Sequence, residues 1–179
     1  RDPAARAAVL TDQDGDAVVI GLRALAQELG VWLLIGSAIV QSGHEGDDRA
    51  ANRSLLIDGA GAVVGTYDKL HVYDVDLPTG ERWRESAAIR PGDDAVLADT
   101  PWARLGLTIC YDIRFPQLYR ALARAGAGMI SVPAAFTVPT GEAHWETLLR
   151  ARAIETGCWI LSPAQAGLHE DGRRTWGRS

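Results

Sequence analysis

Cysteine is scarce: only Cys110 and Cys158 occur in 179 residues. Two thiols could pair, but they do not make a disulfide framework. Both are expected free in a reducing, cytoplasmic setting. No Lys/Arg-rich block occurs and the formal net charge is −5, so the basic footprint of a nucleic-acid binder is missing. No apolar run reaches the roughly 20 residues that a bilayer-spanning helix needs. The start, Arg1-Asp2-Pro3-Ala4-Ala5-Arg6, lacks the apolar core of a signal peptide. Clustered His/Cys ligands are lacking too, so no metal-ligating pattern is visible. There is no internal repeat and no low-complexity tract. What remains is ordinary globular material, 47% hydrophobic and 23% charged, in a chain long enough to bury a core as one domain.

Periodicity organises that material. Residues 16–30 read as an amphipathic helix, with Val18, Leu22, Leu25, Ala26 and Leu29 at helical spacing and Gly30 as its C-cap. The apolar run at 31–37 reads as a strand buried on both faces. Residues 41–50 are polar and glycine-bearing, a surface loop. Two apolar runs, 54–58 and 62–67, flank Gly59-Ala60-Gly61 as a hairpin. From 69 to 91 no period is visible, and so long a loop inside a domain is usually functional. Strands are then expected at 95–99, 104–109, 128–132 and 158–162, with helices at 115–125 and 144–156. Alternating strands and helices with one hairpin give an α/β fold with mixed sheets.

Cys110 ends the strand Arg104-Leu105-Gly106-Leu107-Thr108-Ile109 and opens Tyr111-Asp112-Ile113-Arg114-Phe115-Pro116. A side chain at such a strand-to-helix turn is presented at the carboxyl end of a sheet, where α/β folds build sites. Helix-start N–H groups there favour thiolate. The alternative is a small buried hydrophobe, the reading also given to Cys158 beside Trp159-Ile160-Leu161. The surroundings of Cys110 add weight to the first reading. Lys69 follows an apolar strand in Tyr67-Asp68-Lys69-Leu70-His71, and Glu85 lies in Trp83-Arg84-Glu85-Ser86. A buried lysine can stabilise an oxyanion and a carboxylate can move protons; each could equally be a surface charge.

These segments, together with Ala143-His144-Trp145-Glu146-Thr147-Leu148-Leu149-Arg150-Ala151-Arg152-Ala153-Ile154-Glu155-Thr156, resemble the nitrilase superfamily of carbon–nitrogen hydrolases, in particular its Nit branch. The resemblance covers nearly the whole chain. It implies an α-β-β-α sandwich and a Glu-Lys-Cys triad with a supporting second glutamate. Cys110 then occupies the nucleophile position, Lys69 the lysine position and Glu85 the second-glutamate position. The first glutamate, the general base, belongs to a Leu/Phe-Pro-Glu motif that this chain does not contain. The chain also stops at Trp176-Gly177-Arg178-Ser179, where family members continue. The expectation is a single domain over 1–179, cut at both ends, without the first strand–helix unit and the C-terminal strands.

The implied chemistry is amide hydrolysis through a Cys110 thioester, with the oxyanion held by Lys69 and the Tyr111 backbone N–H. The resemblance also implies that neither a metal nor an organic cofactor is needed. Arg114 is either a structural partner for Asp112 or another carboxylate, or a substrate contact. Ala135 and Phe136, after the next strand, either pack or line the pocket. His144 either satisfies a loop carbonyl or meets substrate. Trp145, Leu148 and Leu149 are expected in the core, and Glu146 with Arg150 as an exposed pair. Arg150, Arg152 and Glu155 fall where the resemblance puts a subunit interface, so a homodimer or larger homo-oligomer is implied. Within the branch, Ala-Ile-Glu-Thr and Ala164-Gln165-Ala166-Gly167 look more like deaminated-glutathione amidases than ω-amidases acting on α-ketoglutaramate. Other readings are an inactive dimerising module, a carbamoyl-amine hydrolase and an amide-forming acyltransferase, because specificity lives in pocket shape.

Overall fold

A computed structural model describes residues 10–76, 80 and 82–179. The polar start at 1–6 lies outside them. The chain divides between Asp94 and Ala95 into two compact units.

In the first unit, helix α1 (Ala17–Leu29) is capped by the Asp16 carboxylate, which accepts the Val18 and Val19 N–H groups, and ends on left-handed Gly30 at φ 63°. Both limits agree with the expected helix, and its inward face agrees at Leu22 and Ala26 but not at Val18, Leu25 and Leu29. Val19 and Ala26 are buried and Leu22 packs with them, while Val18, Leu25 and Leu29 are exposed. This face covers an antiparallel sheet, β1 (Leu33–Gln41), β2 (Ala50–Ile57) and β3 (Val63–Asp68), in that order. Ile35, Leu55 and Ile57 meet the helix there, and each such buried aliphatic contributes about 1.5–3 kcal/mol.

The strand expected to be buried on both faces is partly exposed: in β1 Ile35 and Val40 are buried, with Ile35 packed in the cluster under α1, and the residues between them are half-buried or exposed. Two-sided burial belongs instead to β2, the central strand. The expected loop at 41–50 loses both ends to β1 and β2. The hairpin turn is held by Asp58, whose carboxylate accepts the Ala60 and Ala62 N–H groups. The aperiodic stretch after Lys69 is not a bare loop. It contains a short hairpin, β4 (Asp74–Asp76) with β5 (Arg82–Arg84), and a 3-10 turn (Glu85–Ala87).

The second unit carries a four-stranded mixed sheet in the order β6 (Val96–Asp99), β7 (Arg104–Leu107), β8 (Met129–Ser131), β9 (Trp159–Leu161). The first pair is antiparallel and the other two pairs are parallel. A 3-10 helix (Cys110–Arg114) and α2 (Pro116–Arg124) join β7 to β8. Pro116 opens α2, where its missing N–H costs nothing. Gly106 lets α2 approach the sheet, since a Cβ there would lie 3.0 Å from Leu122. Helix α3 (Val138–Thr156) starts six residues before the expected 144, with Pro139 in its first turn. A hairpin of β10 (Ala166–Leu168) and β11 (Arg174–Trp176) adds two strands that the sequence pattern does not predict.

Candidate active site

Lys69 follows directly on β3. Its N–H donates to the Asn52 carbonyl and its carbonyl accepts from Gly92, so the backbone is fixed on both sides. Lys69 is 3% exposed. Its Nζ donates to Glu85 Oε2 at 2.6 Å, and the Tyr73 N–H reaches the same oxygen at 2.6 Å. The Asn52 amide donates to the other oxygen, Oε1, at 3.3 Å, and accepts from the Ser37 hydroxyl at 2.7 Å. Glu85 is therefore held by a cation, a backbone N–H and an amide. A carboxylate so engaged is suited to orienting a lysine rather than carrying protons. The two residues named from the sequence in this unit do meet. Asn52 carries no sequence signal, because a polar residue in a strand is unremarkable. One signal is readable: Lys69 is the sole lysine among 18 Lys and Arg residues.

Cys110 lies in the second unit, half-buried, three residues past the end of β7 and at the start of the 3-10 helix. Its backbone is left-handed, φ 49°. A non-glycine residue there is sterically strained, so its neighbours must hold it. The Cys110 N–H donates to the Pro133 carbonyl at 2.9 Å. The buried Asp112 carboxylate accepts the Ile109 N–H at 2.8 Å. Before the turn, buried Thr108 donates its hydroxyl proton to the Ser131 carbonyl at 2.6 Å and lies 2.9 Å from the Tyr119 hydroxyl. Burial pushes the Tyr119 phenol well above its usual range, so it stays neutral.

Around Cys110 the unit gathers further expected residues. The Arg114 guanidinium lies 5.8 Å from the Tyr111 ring centroid and 5.5 Å from that of Phe136. Both of its terminal nitrogens are 3.4 Å from His144 Nδ1. The observed neighbour of His144 is thus a guanidinium, and His144 sits inside α3 rather than at its start. Ala135 is half-buried. Phe136 is buried, its ring 4.8 Å from that of Trp145. Trp145 is in the core as expected, while Leu148 and Leu149 are only half-buried. Glu146 and Arg150 form the exposed i,i+4 pair. Arg152 turns inward: it is 6% exposed and donates from Nε to the Ile113 carbonyl at 2.9 Å. Cys158 is buried, with its thiol on the Ala127 carbonyl.

Among the described residues no group of His, Cys, Asp and Glu side chains could hold a metal ion. None of their helices is long and apolar enough to cross a membrane.

A family model described as carbon–nitrogen hydrolase matches residues 4–179. The chain is 52% identical over 159 residues to deaminated glutathione amidase of Yersinia enterocolitica, covering 88% of this chain and 55% of that protein. It is 41% identical over 182 residues to deaminated glutathione amidase of Homo sapiens, covering 100% of this chain and 55% of that one. The chain thus spans about half the length of the curated relatives it matches. The NitFhit protein of Caenorhabditis elegans has the same fold over 93% of this chain and 40% of its own, at TM-score 0.83 and 40% identity. A mutant amidase from Nesterenkonia sp. AN1, with acrylamide added at its active-site cysteine, aligns at TM-score 0.77 and 29% identity, over 97% of this chain and 63% of its own.

Proposed function

The chain belongs to the carbon–nitrogen hydrolase family, and from that premise we propose that it carries the nucleophile of an amidase acting on a terminal amide of a small carboxylated molecule, with deaminated glutathione as the first substrate. The observation that carries this reading is the left-handed backbone of Cys110 between β7 and α2. A strained, half-buried thiol at a strand-to-helix turn suits a nucleophile better than a packing residue. The names of the Yersinia and human relatives support the substrate class.

In this reading the Cys110 sulfur attacks the amide carbonyl carbon and a C–S bond forms. The thiol proton goes to a general base, which the family resemblance assigns to a Pro-Glu motif; these 179 residues contain no such dipeptide. The family resemblance assigns the stabilisation of the oxyanion to Lys69 and the Tyr111 backbone N–H. Collapse of the tetrahedral intermediate breaks the C–N bond, and the leaving nitrogen takes the proton and departs as ammonia. Water then attacks the thioester, the C–S bond breaks, and the carboxylic acid leaves with the thiol restored. Glu85 orients Lys69. Arg114, flanked by Tyr111, Phe136 and His144, takes the carboxylate of the substrate, and Ala135 lines the same place. Assembly as a homodimer or larger homo-oligomer belongs to the proposal and is read by light scattering.

The test is ammonia release by the whole protein from deaminated glutathione, α-ketoglutaramate and neutral butyramide, with peptide mass spectrometry for an acyl group on Cys110. Turnover of deaminated glutathione with acylated Cys110 is expected. Preference for α-ketoglutaramate would make the protein an ω-amidase. No ammonia from any amide and no acyl-Cys110 would sink the amidase reading in favour of a catalytically inactive dimerising module.

A further inference from the structure

We propose that Arg152 is a positioning residue for the nucleophile, holding the backbone turn that Cys110 opens. The proposal rests on the amidase reading and adds a role outside the triad.

The turn needs holding because Cys110 is left-handed at φ 49°. Its upstream side is fixed by Thr108 on the Ser131 carbonyl and by the Cys110 N–H on the Pro133 carbonyl. The downstream side ends in carbonyls that a helix of five residues cannot satisfy internally. Arg152 meets one of them, donating from Nε to the Ile113 carbonyl at 2.9 Å. Its Nη1 donates to Glu155 Oε1 at 2.7 Å, and its guanidinium lies 5.4 Å from the Tyr119 ring centroid. Tyr119 in turn reaches Thr108, two residues before Cys110. One buried cation therefore touches the chain after the nucleophile directly and the chain before it through a single aromatic ring. A guanidinium fork can serve a carbonyl and a carboxylate at once; an ammonium cannot hold both in that fixed geometry. The competing role is a buried ion pair that only anchors α3. That role would lower melting temperature without separating kcat from KM.

The experiment uses the whole protein with three test substitutions and one control. Arg152→Lys is expected to lower kcat about 100-fold with KM changed less than about threefold, the signature of a displaced reacting atom. Guanidinium chloride at millimolar concentration is expected to restore about tenfold of the activity lost in Arg152→Ala, and sodium chloride is not. Glu155→Gln leaves Arg152 in place and is expected to cost about fivefold in kcat; it decides the matter if the Arg152 variants do not fold. Hydrogen exchange gives a readout that needs no turnover: amides of the turn that follows Ile109 should exchange faster in both Arg152→Lys and Glu155→Gln, with the remainder of α3 unchanged. A wild-type protein inactive on every amide would sink the amidase reading alone, and exchange would still decide the positioning. Exchange and kcat within about twofold of wild type in Arg152→Lys or, if that variant does not fold, in Glu155→Gln would overturn it. Glu146→Gln, on the exposed face of the same helix, is the control expected to behave as wild type.

Discussion

Nζ of Lys69 lies 2.6 Å from Oε2 of Glu85, with the ammonium almost wholly withdrawn from solvent. Breaking such a pair by removing one partner leaves the other charge uncompensated. Lys69→Met is therefore expected to lower stability by about 3 kcal/mol, read from urea unfolding. Lys69→Arg keeps the charge but forces a wider, forked group into a site built for one ammonium. It is expected to retain most of the stability and lose about 1,000-fold in kcat/KM for amide hydrolysis. Near-wild-type turnover in Lys69→Arg would mean that the ammonium is not used in the reaction.

Cys110 allows strain and chemistry to be separated. Both Cys110→Ala and Cys110→Gly remove the sulfur, so neither should release ammonia. Alanine keeps the Cβ that is unfavourable at φ 49°, whereas glycine does not. Cys110→Gly is expected to be more stable than Cys110→Ala by about 1 kcal/mol, the reverse of the usual order for these residues. Equal melting temperatures would show that the turn relaxes out of the left-handed region at no cost.

Local interactions are the part of this fold most legible in the amino-acid sequence. Asp16 and Gly30 mark both ends of α1, because a cap is made by residues adjacent in the chain. The face of α1 that turns inward is not legible, since Val18, Val19 and Ile20 are consecutive apolar residues and only packing against β1 and β2 selects Val19. The hairpins β4–β5 and β10–β11 are built of strands three residues long, too short for a period to show. The start of α3 at Val138 escapes a reading based on apolar spacing, because its first turn holds Pro139, a residue that opens a helix as readily as it breaks one. Lys69 and Glu85 lie 16 positions apart with the short strands β4 and β5 between them, and the family resemblance, not any spacing rule, brings the two together. Asn52 and Arg152 owe their importance to one amide and one carbonyl, and nothing in their immediate sequence announces either.

Gly141 sets two effects against each other. In the interior of a helix, glycine to alanine normally stabilises by about 1 kcal/mol. Here a Cβ would collide with Cβ of Trp176, an atom too close to its own backbone to swing aside. Overpacking of that kind costs about 1–3 kcal/mol, so it outweighs propensity. Gly141→Ala is expected to lower the melting temperature and to loosen β11 against α3. A rise in melting temperature would show that Trp176 can move.

Tyr119 carries the pH dependence that the second unit should show. Its phenol is pushed up by burial, partly opposed by the Thr108 hydrogen bond. An unfolded tyrosine ionises near its ordinary value of about 10, while the folded one holds its proton. The unfolded state therefore binds fewer protons above that pH. The stability linked to Tyr119 is complete below about pH 10 and falls by up to about 1.4 kcal/mol per unit above it. At neutral pH, Tyr119→Phe should cost about 1 kcal/mol for the lost hydroxyl contact, since Thr108 keeps its bond to Ser131. Near pH 11 the phenylalanine variant has no proton to lose on unfolding, so the gap should close to about zero, with other titrating groups cancelling between the two proteins. Urea midpoints at both pH values check this. A gap that stays constant would mean that Tyr119 ionises in the fold as readily as in the unfolded chain, and that the Thr108–Tyr119 contact beneath Cys110 is open to water.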